Sequence, residues 1–521
     1  MVLTLNKKKN VKVAAVIDIG SNMLKMRVSQ YRRGEIVDLD RLEYPIRLGH
    51  EVFNSGKVSF ETLREISGVL HGYSGIMSEY GVTDFRVVAT TALREARNRE
   101  YVADQLRIQN DITVNILEND QEKTLIYSEA VRSMEEQPEL LTGNALISYI
   151  GTGSIGMAIF DGKNMRYSQN ISIGSLKLHD MLSSIESETE EFPAVIEEYL
   201  DLIIGHIALP HSDSRITNLI LIGNEIEIIA RLCGVELENG RYIIPAELVT
   251  NLFFKMRALT PEKIGEKFRI SEDTAEILYS ALVIYYRLLK LTHSDRIISP
   301  KVELWDAVMR HMLVPKSLEE YNDHVTENAI SCAQVLARRY HCTQSHSDNI
   351  RRFARRIFDR LKGLHGLDQK MRLILELAVI LHDCGYYVNS KEHLDSSFAL
   401  INHTDIYGLT DEEVRITACI AGCDEYHTPR AGDPELSFPR PETALAVSKL
   451  TAIFLLANAL DKSQKQKLDD IKVRIDKDHL IITGKTDENM VLEKWAFHLC
   501  APFFQEVFGI SPVLTIKSQM L

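Results

Sequence analysis

The sequence predicts an α/β protein of two lobes, followed by an all-helical domain and a small α+β tail. An apolar strand running into a short glycine–serine turn occurs twice. The first copy is Val-Ala-Ala-Val-Ile-Asp-Ile-Gly-Ser-Asn at 13–22, and the second is Leu-Ile-Ser-Tyr-Ile-Gly-Thr-Gly-Ser at 146–154. Around each copy strands alternate with segments of helical spacing, the pattern of an α/β lobe. From about residue 317 the chain becomes almost wholly helical by pattern and rich in histidine.

In the first lobe, alternating runs at 24–31 and 35–44 flank Arg32-Arg33-Gly34 and read as a hairpin after the first turn. A helix starts near Ser59, with Glu61 and Leu63, and runs to about Tyr80. The short β-branched stretch 85–89 reads as a buried strand, and 121–132 has helical spacing through Leu125, Ile126, Ala130 and Val131. The second lobe starts at Ala145. Residues 157–160 and 165–171 form a hairpin across Asp161-Gly162-Lys163-Asn164, and a buried strand at 218–222 ends in Gly223-Asn224-Glu225. Two later helices are capped by Thr260-Pro261-Glu262 and Ser271-Glu272-Asp273, and the acidic stretch 186–191 reads as an exposed loop leading into a helix. The tail has short runs at 471–475 and 479–483 and a further strand at 513–517. The expected domains are 10–135, 143–310, 318–465 and 466–521, in keeping with a length of 521 residues.

Composition narrows the function classes. Hydrophobic residues at 45% and charged residues at 26% belong to a globular chain. A net charge of −13 disfavours unspecific polyanion binding, so no nucleic acid partner is expected. Positive potential must be local, with Arg351, Arg352, Arg355 and Arg356 as one patch and Lys462, Lys465 and Lys467 as another. Taken alone, each patch reads first as a solvated helix face. The seven cysteines form no Cys-x-x-Cys pair; Cys419 and Cys423 can share a helix face, but buried free thiols in a reducing cytoplasm are the natural reading. Lys7-Lys8-Lys9 precedes an apolar run interrupted by Asp18, which is not a signal peptide, and no segment reads as a membrane span.

The chemistry starts from the two turns. A strand ending in small residues exposes successive backbone N–H groups, and such a nest binds phosphate. Two of them suggest two lobes facing one phosphorylated ligand, with Gly20, Ser21 and Asn22 on one side and Gly151, Thr152, Gly153 and Ser154 on the other.

This arrangement resembles the actin-like (ribonuclease H-like) ATPase superfamily. Within it, the first lobe resembles the exopolyphosphatase and guanosine pentaphosphate phosphohydrolase (Ppx/GppA) family. The matching residues are Asp18-Ile19-Gly20-Ser21-Asn22, Arg47-Leu48-Gly49, the run 88–96 (Val-Ala-Thr-Thr-Ala-Leu-Arg-Glu-Ala) with Asn98, and Asp120-Gln121-Glu122 ahead of Leu125-Ile126-Tyr127. The resemblance implies a phosphoanhydride ligand in the cleft between lobes, either inorganic polyphosphate or guanosine pentaphosphate. It implies Glu122 as the base that deprotonates the attacking water, Asn22 and Arg94 as phosphate ligands, and Mg²⁺ supported by Asp18. It also implies a homodimer. On the residues alone, Glu122 reads first as a first-turn acid favoured by the helix dipole, Arg94 as a helix-surface charge and Asn22 as a turn residue, and the family position reverses that order.

The second lobe departs from the family pattern. Tyr149 stands where relatives have an aspartate, and the loop ends Ser154-Ile155-Gly156 where theirs continues to a glutamate. Glu225 follows a third turn that is glycine-rich in relatives, and facing the ligand it would repel phosphate. The cleft therefore either hydrolyses with altered metal dependence or only binds, as a sensor.

The helical domain resembles HD-domain phosphohydrolases and the third domain of long Ppx/GppA proteins. His346, His382-Asp383, His393, His427 and Asp461 carry the match, with Asn458 at the expected last ligand and Asp395 where relatives have histidine. An HD site implies a second divalent metal on His346, His382, Asp383 and Asp461, and a third reading of the protein as an HD-type metal phosphohydrolase. Isolated histidines in such a domain serve equally as scaffold.

Overall fold

The computed structural model describes residues 12–135, 143–189, 191–207, 216–430 and 433–518. The chain divides into two compact units, Met1–Val325 and Thr326–Leu521.

The first unit holds two sheets. Strands β1 (Val13–Ile19), β2 (Met23–Arg32), β3 (Glu35–Pro45), β4 (Asp84–Ala89) and β5 (Val114–Ile116) are arranged in the order β3-β2-β1-β4-β5. The first three form an antiparallel meander, and β4 and β5 run parallel to β1. The second sheet contains β6 (Asn144–Ile150), β7 (Ile155–Phe160), β8 (Met165–Ile171), β9 (Ile216–Gly223), β10 (Arg241–Pro245) and β11 (Arg296–Pro300). Its order is β10-β11-β9-β6-β7-β8, so β8-β7-β6-β9-β11 repeats the first sheet strand for strand and in direction. The two lobes are therefore one architecture used twice, with β10 added at the edge.

Helices cover both faces of the first sheet, which is why β1 reads as a continuous apolar run. Ala15, Ile17 and Ile19 pack with Leu63, Ile66 and Leu70 of the helix Phe60–Glu79. That helix is capped as its sequence suggests, the Ser59 hydroxyl accepting from Thr62 N–H. Ala14 and Val16 face Trp305, Met309 and Leu313 of the helix Leu304–Leu313. This last helix follows β11 yet lies on the first sheet, a crossing that periodicity does not reveal. Lys25, Arg27 and Arg41 sit 5.3, 6.0 and 5.6 Å from the Trp305 ring centre and fix it there.

Several elements differ from the sequence reading. Helices Leu48–Ser55, Thr91–Glu95 and Arg99–Asn110 were not anticipated, and the last buries only Val102 and Leu106, too few to set a period. Strands β10 and β11 were likewise unforeseen. In β4 only Val87–Ala89 are buried, while Phe85 is 37% exposed. The acidic stretch contributes to a 3₁₀ turn, Ser183–Glu188, before the helix Phe192–Gly205; residue 190 lies outside the described residues.

In the second unit, helices Gln344–His365, Gln369–Leu381, His393–Asn402, Asp411–Ala421 and Pro441–Ala459 surround one apolar core. The nineteen-residue helix Pro441–Ala459 is long and apolar enough to cross a bilayer, contrary to the expectation that no segment is, but most of it is buried as the central helix of this core. The sheet β12 (Ile471–Asp476), β13 (His479–Lys485) and β14 (Ser511–Lys517) shares that core through Ile471, Leu480 and Ile482. The β12–β13 turn places Lys477 at φ 53°, between two aspartates. All seven cysteines are free thiols.

Candidate active site

Each turn is built by its own backbone. Gly20 N–H donates to Met23 O (3.0 Å), and a Cβ at Gly20 would come within 2.9 Å of that oxygen. Gly49 N–H donates to Ser21 O (2.7 Å) and Ile46 N–H to Asn22 O (3.0 Å), tying the turn to the next helix. In the second turn Gly151 N–H donates to Ser154 O (2.9 Å). The first turn of the helix Ser175–Leu182 supports it from behind: Ser175 N–H donates to Gly151 O (3.1 Å), and Leu176 and Lys177 N–H to Thr152 O (3.0 and 2.9 Å). The amides of Gly20 and Gly151 are thus spent within the loops, so a phosphate nest would draw on their neighbours.

The turns line one cavity of about 290 Å³. Its walls include Asp18, Gly20, Ser21 and Asn22 from the first lobe, Tyr149, Gly151 and Thr152 from the second, and Glu122. Ser21 Oγ and Asn22 Oδ1 are buried without a hydrogen-bond partner. Gly153 and Ser154, expected at the ligand, are not on this wall. Gly153 packs against Thr91, and Ser154 Oγ bonds the Lys123 ammonium (2.5 Å).

Glu122 opens the helix Asn119–Ser133, which starts with a capping box between Glu118 and Gln121. Its carboxylate is only 3% exposed and meets Arg94 Nη1 at 3.0 Å. Arg94 differs from the expectation of a phosphate ligand. Nη1 also donates to Leu117 O, and Nη2 donates to Thr91 Oγ1 (3.0 Å) and Asn119 Oδ1 (2.7 Å). Its two terminal nitrogens are committed to the protein, so it braces Glu122 and the preceding loop.

Carboxyl groups crowd the cleft. Burial, with Glu122 and Glu303 nearby, pushes Asp18 up to about 7 against the pull of Lys25, and Asp18 Oδ1 lacks a partner. Glu225 is also pushed up to about 7 by burial, but it turns inward to accept from Ser175 Oγ (3.0 Å) and is absent from the cavity wall. It therefore does not confront a phosphate. Tyr149 lies among these acids, and burial and their charge push its hydroxyl far up. A buried carboxylate oxygen without a donor, held at a raised pKa, is a fit for a cation, so Asp18 suits a divalent ion. The second turn offers no carboxylate at Tyr149 or Gly156.

The Glu225 carboxyl is neutral in the fold below about 7, whereas its ordinary value is 4.5. Its contribution to stability is therefore whole at pH 4 and is lost as pH rises to about 7. Glu225→Gln is expected to leave stability unchanged near pH 4 and raise it near pH 8 by up to about 3 kcal/mol. Urea melts of both proteins across this range check the sign.

Comparison with known proteins gives the family. The model of the Ppx/GppA phosphatase family matches residues 27–314, and that of Ppx/GppA phosphatase domain III matches residues 330–498. The chain belongs to the Ppx/GppA phosphatase family. A guanosine-5′-triphosphate,3′-diphosphate pyrophosphatase of Aliivibrio fischeri is 19% identical over 412 residues, covering 76% of this chain and 77% of that protein. The crystal structure of the Aquifex aeolicus Ppx/GppA family member is similar at a TM-score of 0.50 and 19% identity, over 59% of this chain and 99% of that one. An exopolyphosphatase from Cytophaga hutchinsonii matches at 0.50 and 19%, over 58% and 97%. These structures share the two-lobed fold.

In the region matching domain III, His346, His382 and Asp383 bring one ligand atom each within 4.8 Å of one another. His382 Nδ1–H donates to Val379 O (2.8 Å), leaving Nε2 towards Asp383 (3.2 Å), and burial holds the ring neutral. Asp461 differs from the expected ligand: its Oδ2 contacts His346 Nδ1 (2.8 Å), behind the ring, and its Oδ1 accepts from Gln466 N–H (2.8 Å). His393 stacks on Tyr386 and His427 pairs with Asp424, so neither joins the cluster.

Lys123 and the brace made by Arg94 were missed by sequence reasoning. Neighbours in a helix do not face each other, so nothing in the string Glu122-Lys123 tells that both point into one interior.

Proposed function

We propose that the cleft between the two lobes hydrolyses a terminal phosphoanhydride bond, releasing phosphate from inorganic polyphosphate or guanosine pentaphosphate. One observation carries the reading: Glu122, buried and braced by Arg94, opens on the same cavity as the Gly20-Ser21-Asn22 turn. Ser21, Asn22 and the Thr152 amide take the oxygens of the terminal phosphoryl group. Glu122 accepts a proton from a water aimed in line with the bridging bond. The water oxygen joins phosphorus as the bridging P–O bond breaks, and the shortened chain leaves with the electron pair. Asp18 would hold a Mg²⁺ ion, which would supply charge neutralisation on the phosphate oxygens.

Phosphate release from polyphosphate and guanosine pentaphosphate, with Mg²⁺ varied, tests the reading. Binding without turnover in calorimetry would replace it by a sensor, which the bare second turn at Tyr149 and Gly156 would suit. A cytoplasmic homodimer binding neither membrane nor nucleic acid belongs to the same proposal; the free thiols support the location, and the acidic charge supports the lack of a nucleic-acid partner.

A second reading rests on the cluster in the other unit. His346, His382 and Asp383 would hold a divalent transition metal, with Asp461 orienting His346 from behind, the arrangement of a carboxylate–histidine–metal triad. Elemental analysis is expected to find about one metal per chain, lost in His382→Ala. Asp461→Asn is expected to weaken metal affinity by roughly 10–100-fold. A metal-free wild type after growth with added zinc and manganese removes this reading.

A further inference from the structure

Lys123 is among the largest fully buried side chains of the protein and is 1% exposed. A buried ammonium is costly unless its surroundings are built for it. Here burial pushes the Lys123 pKa down, and groups from both lobes gather at Nζ to offset it. Its Nζ lies 3.8 Å from Glu122 Oε2, 3.4 Å from Asn119 Oδ1 and 2.5 Å from Ser154 Oγ on the opposite turn. It also sits 5.4 Å from the centre of the Tyr149 ring, within cation–π reach.

The space it occupies exists because of Gly156. A Cβ there would stand closer than 3.0 Å to Lys123 Cγ and to the Tyr127 hydroxyl. Tyr149 and Gly156 are direct partners across the β6–β7 ladder. A ring face and a missing side chain thus lie side by side, and the Lys123 stem passes over both. Tyr149, Ser154 and Gly156, all on the β6–β7 hairpin of the second lobe, make one fitted seat for a positive charge, next to the carboxylate assigned as base.

We propose that Lys123 is a positioning residue of the hydrolytic site: its ammonium, seated by Gly156 and Tyr149, links Glu122 to Ser154 on the opposite turn and so fixes the Glu122 carboxylate. This rests on the reading of Glu122 as the base. Arg94 holds Glu122 from its own lobe, whereas Lys123 registers it against the turn of the other lobe. Aim at the attacking water is then set only when the two turns face each other.

Steady-state phosphate release from polyphosphate with Mg²⁺ tests this in the full-length chain. Lys123→Met is expected to lower kcat by roughly 100-fold, the scale of a misplaced catalytic group, with KM within about twofold. Ser154→Ala is expected to lower kcat several-fold alone and to add nothing in the Lys123→Met background. Gly156→Ser, which leaves the ammonium in the sequence but fills its path, is expected to lower kcat as Lys123→Met does, and decides the matter where Lys123→Met does not fold. Unchanged kcat in either Lys123→Met or Gly156→Ser, a change confined to KM, or multiplicative Lys123 and Ser154 effects overturns the proposal. Glu122→Gln separates the two layers. Full activity in that variant removes the parent reading of the site, whereas an inactive Glu122→Gln beside a normal Gly156→Ser removes only the role of Lys123.

Discussion

Glu122→Gln is expected to reduce kcat for phosphate release by about 10²–10⁴-fold while substrate affinity, measured by calorimetry, stays within a few-fold. The amide keeps the volume of the carboxyl and its contact with Arg94, but it accepts no proton from water. The groups proposed to hold phosphate oxygens, Ser21, Asn22 and the turn at Gly151, lie elsewhere on the cavity wall and are untouched. Loss of binding in parallel with turnover would instead make Glu122 a structural acid, the role its position in the first turn of a helix also allows.

Arg94→Met is expected to destabilise the chain by roughly 3–5 kcal/mol and to abolish turnover together with it. The guanidinium joins Glu122, Thr91, Asn119 and the Leu117 carbonyl, so its removal strands a buried carboxylate and frees the loop before its helix. Urea unfolding measures the loss. In the double variant Arg94→Met/Glu122→Gln the cost is expected to fall below the sum of the single ones, because the Glu122 carboxylate is no longer there to be stranded. A phosphate ligand, by contrast, would change KM with little effect on stability. The two variants therefore separate the brace from the grip that the motif alone implies.

Legibility differed between fold and site for a physical reason. Hydrophobic period and caps are local, so the paired strand–turn copies, the helix begun by Ser59 and the helices capped by Thr260 and Ser271 could be read directly. The meander β1–β3 and its repeat β6–β8 follow from turns lying between alternating runs. The helix Leu304–Leu313 could not be assigned to the first sheet, because its apolar stripe says that it is covered and not by what. The same holds for Glu225, whose carboxyl turns to Ser175 and away from the cavity.

By itself the sequence determined the class of the protein: two α/β lobes with facing turns, a helical unit rich in histidine, and Glu122 at the start of a helix in a family-like order. Only the tertiary structure decided what each charge does. Arg94 is committed to the protein, Asp461 stands behind His346, and Lys123 reaches across to Ser154 through the gap at Gly156. Backbone preferences are written over a few residues, whereas the partner of a buried charge is whatever the fold brings within about 4 Å, often from a hundred residues away.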